Sequence, residues 1–197
     1  MDKNKIMKKP DFHFPPLLKK CKRGGPAVTH PKDAGMIMGY TGIGKHSFVV
    51  ELGSGSGFMT VQLANIVDKV VSYEKREEFQ ELAMHNVEKS GLTNVEFKLR
   101  DVFEGIDESE VDLIFCDIAQ PEKIIEQTHS ALKEGGFMAA HCLNIEQAKA
   151  LHLAAEPIFR NVFTIDCTIQ EYDVRDFGTR PKHFGLMHTA YLVFAKK

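Results

Sequence analysis

Tryptophan is missing from this 197-residue sequence, and cysteine is scarce. The four cysteines, Cys21, Cys116, Cys142 and Cys167, are widely spaced, with no CxxC and no Cys/His pair at zinc spacing. That excludes a disulfide framework and a structural metal as the basis of the fold, and buried thiols in a reducing compartment are expected. Long apolar runs are also lacking. Phe48 to Val50 and Leu113 to Cys116 fall far short of the roughly 20 residues that span a bilayer, and no apolar stretch follows the lysine-rich start as a signal peptide requires. The expectation is a soluble, cytoplasmic protein with no metal and no membrane attachment.

What is present is a 43% hydrophobic content, enough for one sizeable core but not for two full domains. Charge is nearly balanced overall, with 25 Lys and Arg against 27 Asp and Glu, yet it is unevenly placed. Lys3, Lys5, Lys8, Lys9, Lys19, Lys20, Lys22 and Arg23 crowd the start against only Asp2 and Asp11, and the remainder is acidic. Residues 1–23 therefore read as a basic arm and 24–197 as one domain. The arm suits phosphate contacts that weaken with salt; a solvated, frayed terminus is the other reading.

Beyond the arm, apolar strand-like runs alternate with helical periodicity, the pattern of an α/β fold with a mainly parallel sheet. Strands are expected near 48–51, 69–73, 95–99, 112–117 and 137–141. Met59, Leu63, Ile66 and Val67 give Phe58 to Val67 one buried helical face, and Phe79, Leu82, Ala83 and Val87 do the same for Glu77 to Ser90 before a stop at Gly91. Pro121 opens a third helix ending near Leu132, with 133–136 as its C-cap and turn. Ile145 to Glu156 forms a fourth, stopped at Pro157. Val162 to Tyr172 and Thr189 to Ala195, rich in β-branched and aromatic residues, predict two late strands paired antiparallel at one sheet edge. Five α/β units followed by such a pair is the layout of the Rossmann-like class I methyltransferase, with a seven-stranded sheet.

The chemistry concentrates at Glu51-Leu-Gly-Ser-Gly-Ser-Gly57. Gly53, Gly55 and Gly57 fall between a strand and a helix, beyond the carboxyl end of the strand, where parallel sheets bind ligands. Glycine there permits positive φ and close approach of a ligand to the backbone. Three acids follow at later strand ends. Glu74 can accept bonds from two ribose hydroxyls, Asp101 can reach an adenine edge, and Asp117 points at the same crevice. Each can instead cap a helix: Glu74 one beginning near Arg76, Asp101 one at 102–106, Asp117 one before Pro121. The turn lacks the GxGxxG spacing of a pyrophosphate site, since Phe58 stands where the third glycine would fall. A sulfonium nucleoside, S-adenosylmethionine, fits better than a dinucleotide.

In order and spacing, His30-Pro-Lys-Asp-Ala-Gly35, the glycine turn, Ser72-Tyr-Glu-Lys-Arg-Glu-Glu-Phe79, Asp101-Val102, Phe115-Cys-Asp117, Arg180-Pro-Lys-His183 and His188-Thr189 resemble the tRNA (adenine-58-N1) methyltransferases, archaeal ones especially, from about residue 24 to the end. The resemblance implies methyl transfer from S-adenosylmethionine to adenine N1 in the T-loop of tRNA by a homo-oligomer, a tetramer or dimer. It implies that Ser56, Gly57, Phe58 and Met59 hold the methionine and ribose portion, Glu74 the ribose, and Asp101 and Val102 the adenine. Asp117 matches the family's catalytic aspartate.

The acceptor side departs from the family pattern. His30 stands where a tyrosine usually precedes the PKD string, and His141 where a tyrosine ends the fifth strand; as substrate-binding residues, both would stack imidazole on a base. Ile118-Ala-Gln-Pro-Glu122 replaces a proline-rich segment ending in tryptophan. Phe184 replaces a common arginine, and only the basic arm precedes residue 24, where the family has a β-barrel domain. Three functions therefore remain at this level: an RNA methyltransferase, a small-metabolite methyltransferase, and a non-catalytic partner subunit. Retention of the glycine turn, Glu74, Asp101 and Asp117 argues against the last.

Overall fold

A computed structural model describes residues 13–182 and 188–197. Its centre is a seven-stranded sheet in the order β3-β2-β1-β4-β5-β9-β6. β1 (Phe48–Leu52), β2 (Lys69–Glu74), β3 (Val95–Leu99), β4 (Val111–Cys116) and β5 (Leu132–Cys142) run parallel; β9 (Tyr191–Lys196) pairs antiparallel with both β5 and β6 (Asn161–Asp166). The strand order reverses between β1 and β4, and this reversal opens a crevice at their carboxyl ends.

The central strands are apolar in near-continuous runs because helices cover both faces. On one face Val49, Leu113, Phe115 and Phe194 pack with α2 (Pro31–Thr41) and α3 (Phe58–Ala64). On the other, Val50, Leu52, Ile114 and Cys116 pack with α5 (Ile125–Ala131) and α6 (Ile145–Ala155). Alternation along β1 assigns Glu51 to the side of Val49, facing α3. α4 (Glu77–Ser90) follows β2 and ends at Gly91 with φ 74°, the left-handed stop its sequence signals. A short helix, α1 (Pro16–Lys19), sets Phe14 and Leu18 against Phe58 and Val61.

Five features differ from expectation. The late strand expected over 162–172 ends at Asp166, and Tyr172 instead begins a separate hairpin, β7 (Tyr172–Arg175) and β8 (Gly178–Pro181), closed by Asp176-Phe177. Thr168, Gln170 and Glu171 between them are polar and bury little, so nothing holds that stretch in the main sheet. The third helix opens as a 3-10 turn at Pro121–Ile124 and its α-helical part stops at Ala131. The supposed turn at 133–136 is then the start of β5, irregular in its register with β4 between Val111 and Leu113. The first helix ends at Ala64 rather than Val67. Finally, α2 over the PKD string was not foreseen, although Pro31 at its first position and Gly42 in the left-handed conformation after its end are ordinary helix signals.

Candidate active site

The crevice between β1 and β4 is a cavity of about 560 Å³, lined by the glycine turn, Glu51, Met59, Asp117, His141 and Asn144 among others. It adjoins a second lobe of about 270 Å³ bordered by Tyr73, Glu74, Asp101, Val102 and Phe103. Gly53, Glu74, Asp117 and the segment Ile118-Ala-Gln120 line both lobes.

The turn owes its shape to three glycines with positive φ, and two of them are fixed by near contacts. A Cβ on Gly53 would meet the Asp117 carbonyl oxygen at 2.5 Å, so only glycine lets the turn after β1 lie against the end of β4. A Cβ on Gly57 would stand 2.7 Å from Ala83 Cα, so Gly57 lets α3 lie against α4. Gly57 is absent from the cavity lining, and its contribution there is to packing, whereas Gly53, Gly55, Ser56, Phe58 and Met59 do face the cavity.

Glu74 is buried and held in place. Its Oε1 accepts from the amides of Lys75 and Arg76 at 3.0 and 3.1 Å and from Arg76 Nε at 3.2 Å, and its Oε2 accepts from the Gly55 amide at 3.0 Å. Oε2 thus keeps a lone pair for one more donor. Asp101 Oδ1 accepts from the Phe103 amide at 3.2 Å, capping the 3-10 turn Val102–Glu104, while Oδ2 pairs with Lys75 Nζ at 3.2 Å. The capping reading of Asp101 is therefore realised, on a residue that also lines the second lobe.

In the sequence Glu51 is only the lead residue of the turn, and its importance emerges in three dimensions. It is fully buried; Oε2 accepts from Thr60 and Ser72 hydroxyls, both at 2.5 Å, and Oε1 has no hydrogen-bond partner among the described residues. Burial, resisted by those two hydroxyls and assisted by the charges of Asp117 and Glu74, pushes its carboxyl up to about 8. Glu51 lines the cavity, and once its carboxyl gives up the proton the orphaned Oε1 can accept from a cationic donor.

At the other wall, His141, next to last in β5, is almost fully buried. Its Nδ1 lies 3.7 Å from Asp117 Oδ1 and its Nε2 3.9 Å from Asp33 Oδ2. Burial disfavours the charged ring, but Asp117 and then Asp33 outweigh it and hold the pKa above the ordinary histidine value. Asp33 is buried with Lys32 and Thr189 around it. The sequence paired His30 with His141, but the structure separates them. His30 Nδ1 accepts from the Lys32 amide at 3.3 Å as the N-cap of α2, its ring packs on Phe14, and it is absent from the described lining of the cavity. His183 and Phe184 lie outside the described residues. Among the described residues no group of three His, Cys, Asp or Glu side chains could hold a metal ion, and no helix is long and apolar enough to cross a membrane.

Residues 43–175 match the family described as a methyltransferase domain. The tRNA (adenine(57)-N(1)/adenine(58)-N(1))-methyltransferase TrmI of Methanocaldococcus jannaschii is 31% identical over 91% of this chain and 74% of its own length. The tRNA (adenine(58)-N(1))-methyltransferase TrmI of Thermus thermophilus is 33% identical over 86% of this chain and 69% of its own. The crystal structure of TrmI from Aquifex aeolicus superposes with a TM-score of 0.86 at 28% identity, covering 93% of this chain and 76% of that one. A SAM-dependent O-methyltransferase structure from Thermotoga maritima gives 0.84 at 34% identity, over 88% and 67%. With its sheet order, glycine turn and strand-end acids in place, the chain belongs to the TrmI family of S-adenosylmethionine-dependent methyltransferases.

Proposed function

We propose that this protein methylates N1 of adenine in tRNA, with S-adenosylmethionine as donor and Asp117 as the catalytic carboxylate. The observation that carries the reading is the position of Asp117. It lines the larger lobe together with the glycine turn, His141 and Asn144, so a donor held by the turn and an acceptor entering past His141 and Asn144 would meet beside it.

The side chains present fit the cofactor. Glu51 Oε1 offers an unfilled acceptor to an ammonium, the Gly53–Gly55 turn offers backbone that no Cβ obstructs, and Glu74 Oε2 offers a lone pair to a ribose hydroxyl. Asp101 and Val102 border the space for an adenine. When bound, the cofactor supplies an electrophilic sulfonium methyl. The protein's task is then alignment and charge. As adenine N1 attacks, positive charge moves onto the purine, and the Asp117 carboxylate beside N1 and the 6-amino group orients the base and stabilises that charge. The T-loop adenine must leave its stack to enter, and the imidazole of His141 on the cavity wall offers a face for it. Residues 24–197 act as the methyltransferase domain, with α1 of the arm packed on α3, and the lysines of the basic arm 1–23 act as phosphate contacts. We place the protein in the cytoplasm as a homo-oligomer, which light scattering on the purified protein checks.

The test is incubation with labelled cofactor and total tRNA, followed by digestion to nucleosides. Labelled 1-methyladenosine that disappears in Asp117→Ala is expected. Label confined to a small-molecule fraction overturns the acceptor, and a folded protein that shows no calorimetric heat with the cofactor overturns the enzyme.

A further inference from the structure

His141 also belongs to a row of charge, buried at one end and open to the cavity at the other, whose electrostatics the reading above leaves unused. At one end Asp33 is immobilised: it is fully buried, its Oδ1 pairs with Lys32 Nζ at 2.5 Å, and its Oδ2 accepts from the Thr189 hydroxyl at 2.5 Å. Lys32 also reaches the Thr189 hydroxyl, which closes that end of the row. At the other end Asp117 is about one-third exposed, at 34%, and faces the open cavity. His141 lies between them, 3.9 Å from one carboxylate and 3.7 Å from the other, beyond hydrogen-bond reach of both. Its Nδ1 is buried and has no hydrogen-bond partner among the described residues. Asp33 is anchored, so only Asp117 is free to turn toward the ring.

We propose that His141 is a positioning residue for Asp117: as imidazolium it draws the carboxylate onto Nδ1 and away from the acceptor base, and as neutral imidazole it releases it. The inference rests on Asp117 serving the acceptor, as proposed above. Methyl transfer makes the N1–carbon bond as the sulfur–carbon bond breaks, passes one positive charge from sulfur to the purine, and releases no proton. The charge count then decides when Asp117 is effective. Lys32 and Asp33 balance each other. With His141 neutral, Asp117 carries an unmatched negative charge, and the purine that becomes cationic supplies the match. With His141 charged, the match already exists and the carboxylate stabilises the transition state less. Methyl transfer therefore has an acidic limb.

Among the described residues the charged groups facing the ring are Asp117 from the end of β4 and Asp33 and Lys32 from α2. β9 offers Leu192 in register, and Glu51 on β1 acts on Asp117. Burial lowers the ring's affinity for a proton, Asp117 and Asp33 raise it further than burial lowers it, and Lys32 opposes them, so the limb lies above pH 6.5.

The experiment is a single-turnover measurement with labelled cofactor and tRNA from about pH 5.5 to about pH 9, across the range in which histidines titrate. It compares the unaltered protein with His141→Gln, His141→Tyr and Asp117→Asn, with the His141 ring titration followed by NMR in the unaltered protein and in Asp117→Asn. Below its midpoint the unaltered rate falls about tenfold per pH unit toward the basal rate of the charged form. Both His141 variants lose the limb whose midpoint matches the ring titration, so that any limb left to them is the one Glu51 sets near pH 8, and the ring titrates at lower pH in Asp117→Asn. A limb of unchanged midpoint in His141→Gln, a flat profile in the unaltered protein, or an identical ring titration in the two proteins overturns the inference. The ring titration decides even where a His141 variant fails to fold. Full activity in Asp117→Asn overturns the underlying assignment of Asp117 instead.

Discussion

On the β1–β2 side of the crevice, the buried carboxylates are tied by direct hydrogen bonds, while beyond β4 His141 faces two carboxylates at distances too long for one. Ser54, Ser72, Thr60 and Glu51 form one closed cluster, and Glu74 has four donors from the turn and the start of α4. Asn86 on α4, fully buried, donates to Lys22 and Ser56 carbonyls at 2.9 and 2.8 Å and accepts from the Lys22 amide at 2.7 Å, clamping the N-terminal segment to the turn. Across the crevice His141 touches two carboxylates and bonds neither, Leu143 and Ile145 are exposed, and the hairpin carries Phe177 at 86% exposure. On the proposed reading, the side that takes the cofactor is held by direct bonds before binding and the side that takes the acceptor is held less tightly, which suits one invariant cofactor and one large, adaptable substrate.

That contrast can be broken at several points. Asp117→Asn should have the largest effect, lowering the single-turnover rate about 10²–10³-fold with calorimetric cofactor affinity unchanged; a loss of affinity instead would move Asp117 to the donor side. Glu51 comes next, through pH. Its carboxyl holds a proton up to about 8 in the folded protein and only to 4.5 in the unfolded chain, so the folded state binds the extra proton between those values and stability falls as pH rises through them. Denaturant titrations should show that slope, at most about 1.4 kcal/mol per pH unit, and Glu51→Gln should abolish it. Gly57→Ala should cost about 2–4 kcal/mol, from crowding against Ala83 and from a φ of 75° unsuited to alanine, measured by thermal unfolding. Glu74→Ala should weaken cofactor binding by about 1.5–3 kcal/mol for each charge-assisted bond lost, and unchanged affinity would refute its place in the site. Phe177→Ser should leave stability within about 0.5 kcal/mol; a larger loss would mean the hairpin is covered in the intact assembly.

The donor side was also the legible side. β1 to β4 are buried on both faces and so read as apolar runs, and the acids that end them are separated by whole α/β units, so their convergence follows from topology alone. Gly57 was counted with the cofactor ligands because its neighbour in space, Ala83, is 26 residues away and no local pattern points to it. Glu51 went unassigned for a similar reason: its burial depends on Thr60 and Ser72 arriving from α3 and β2. α2 was overlooked because Gly35 and Gly39 dilute its periodicity. The hairpin escaped notice because its strands of four residues bury almost nothing and so leave no alternation to read. His30 and His141 looked equivalent as replacements for tyrosine, and only the cap on α2 distinguishes them.

The Asp117 amide donates to the Leu52 carbonyl at 2.9 Å and its carbonyl lies close against Gly53, which ties the backbone of the proposed catalytic carboxylate to the cofactor turn itself. The residue that meets the acceptor is thereby registered to the donor rather than to the loop that follows it. Residues 118–122 can then change in sequence without disturbing the distance over which the methyl must travel. One lineage is free to change what it methylates while leaving how it methylates untouched.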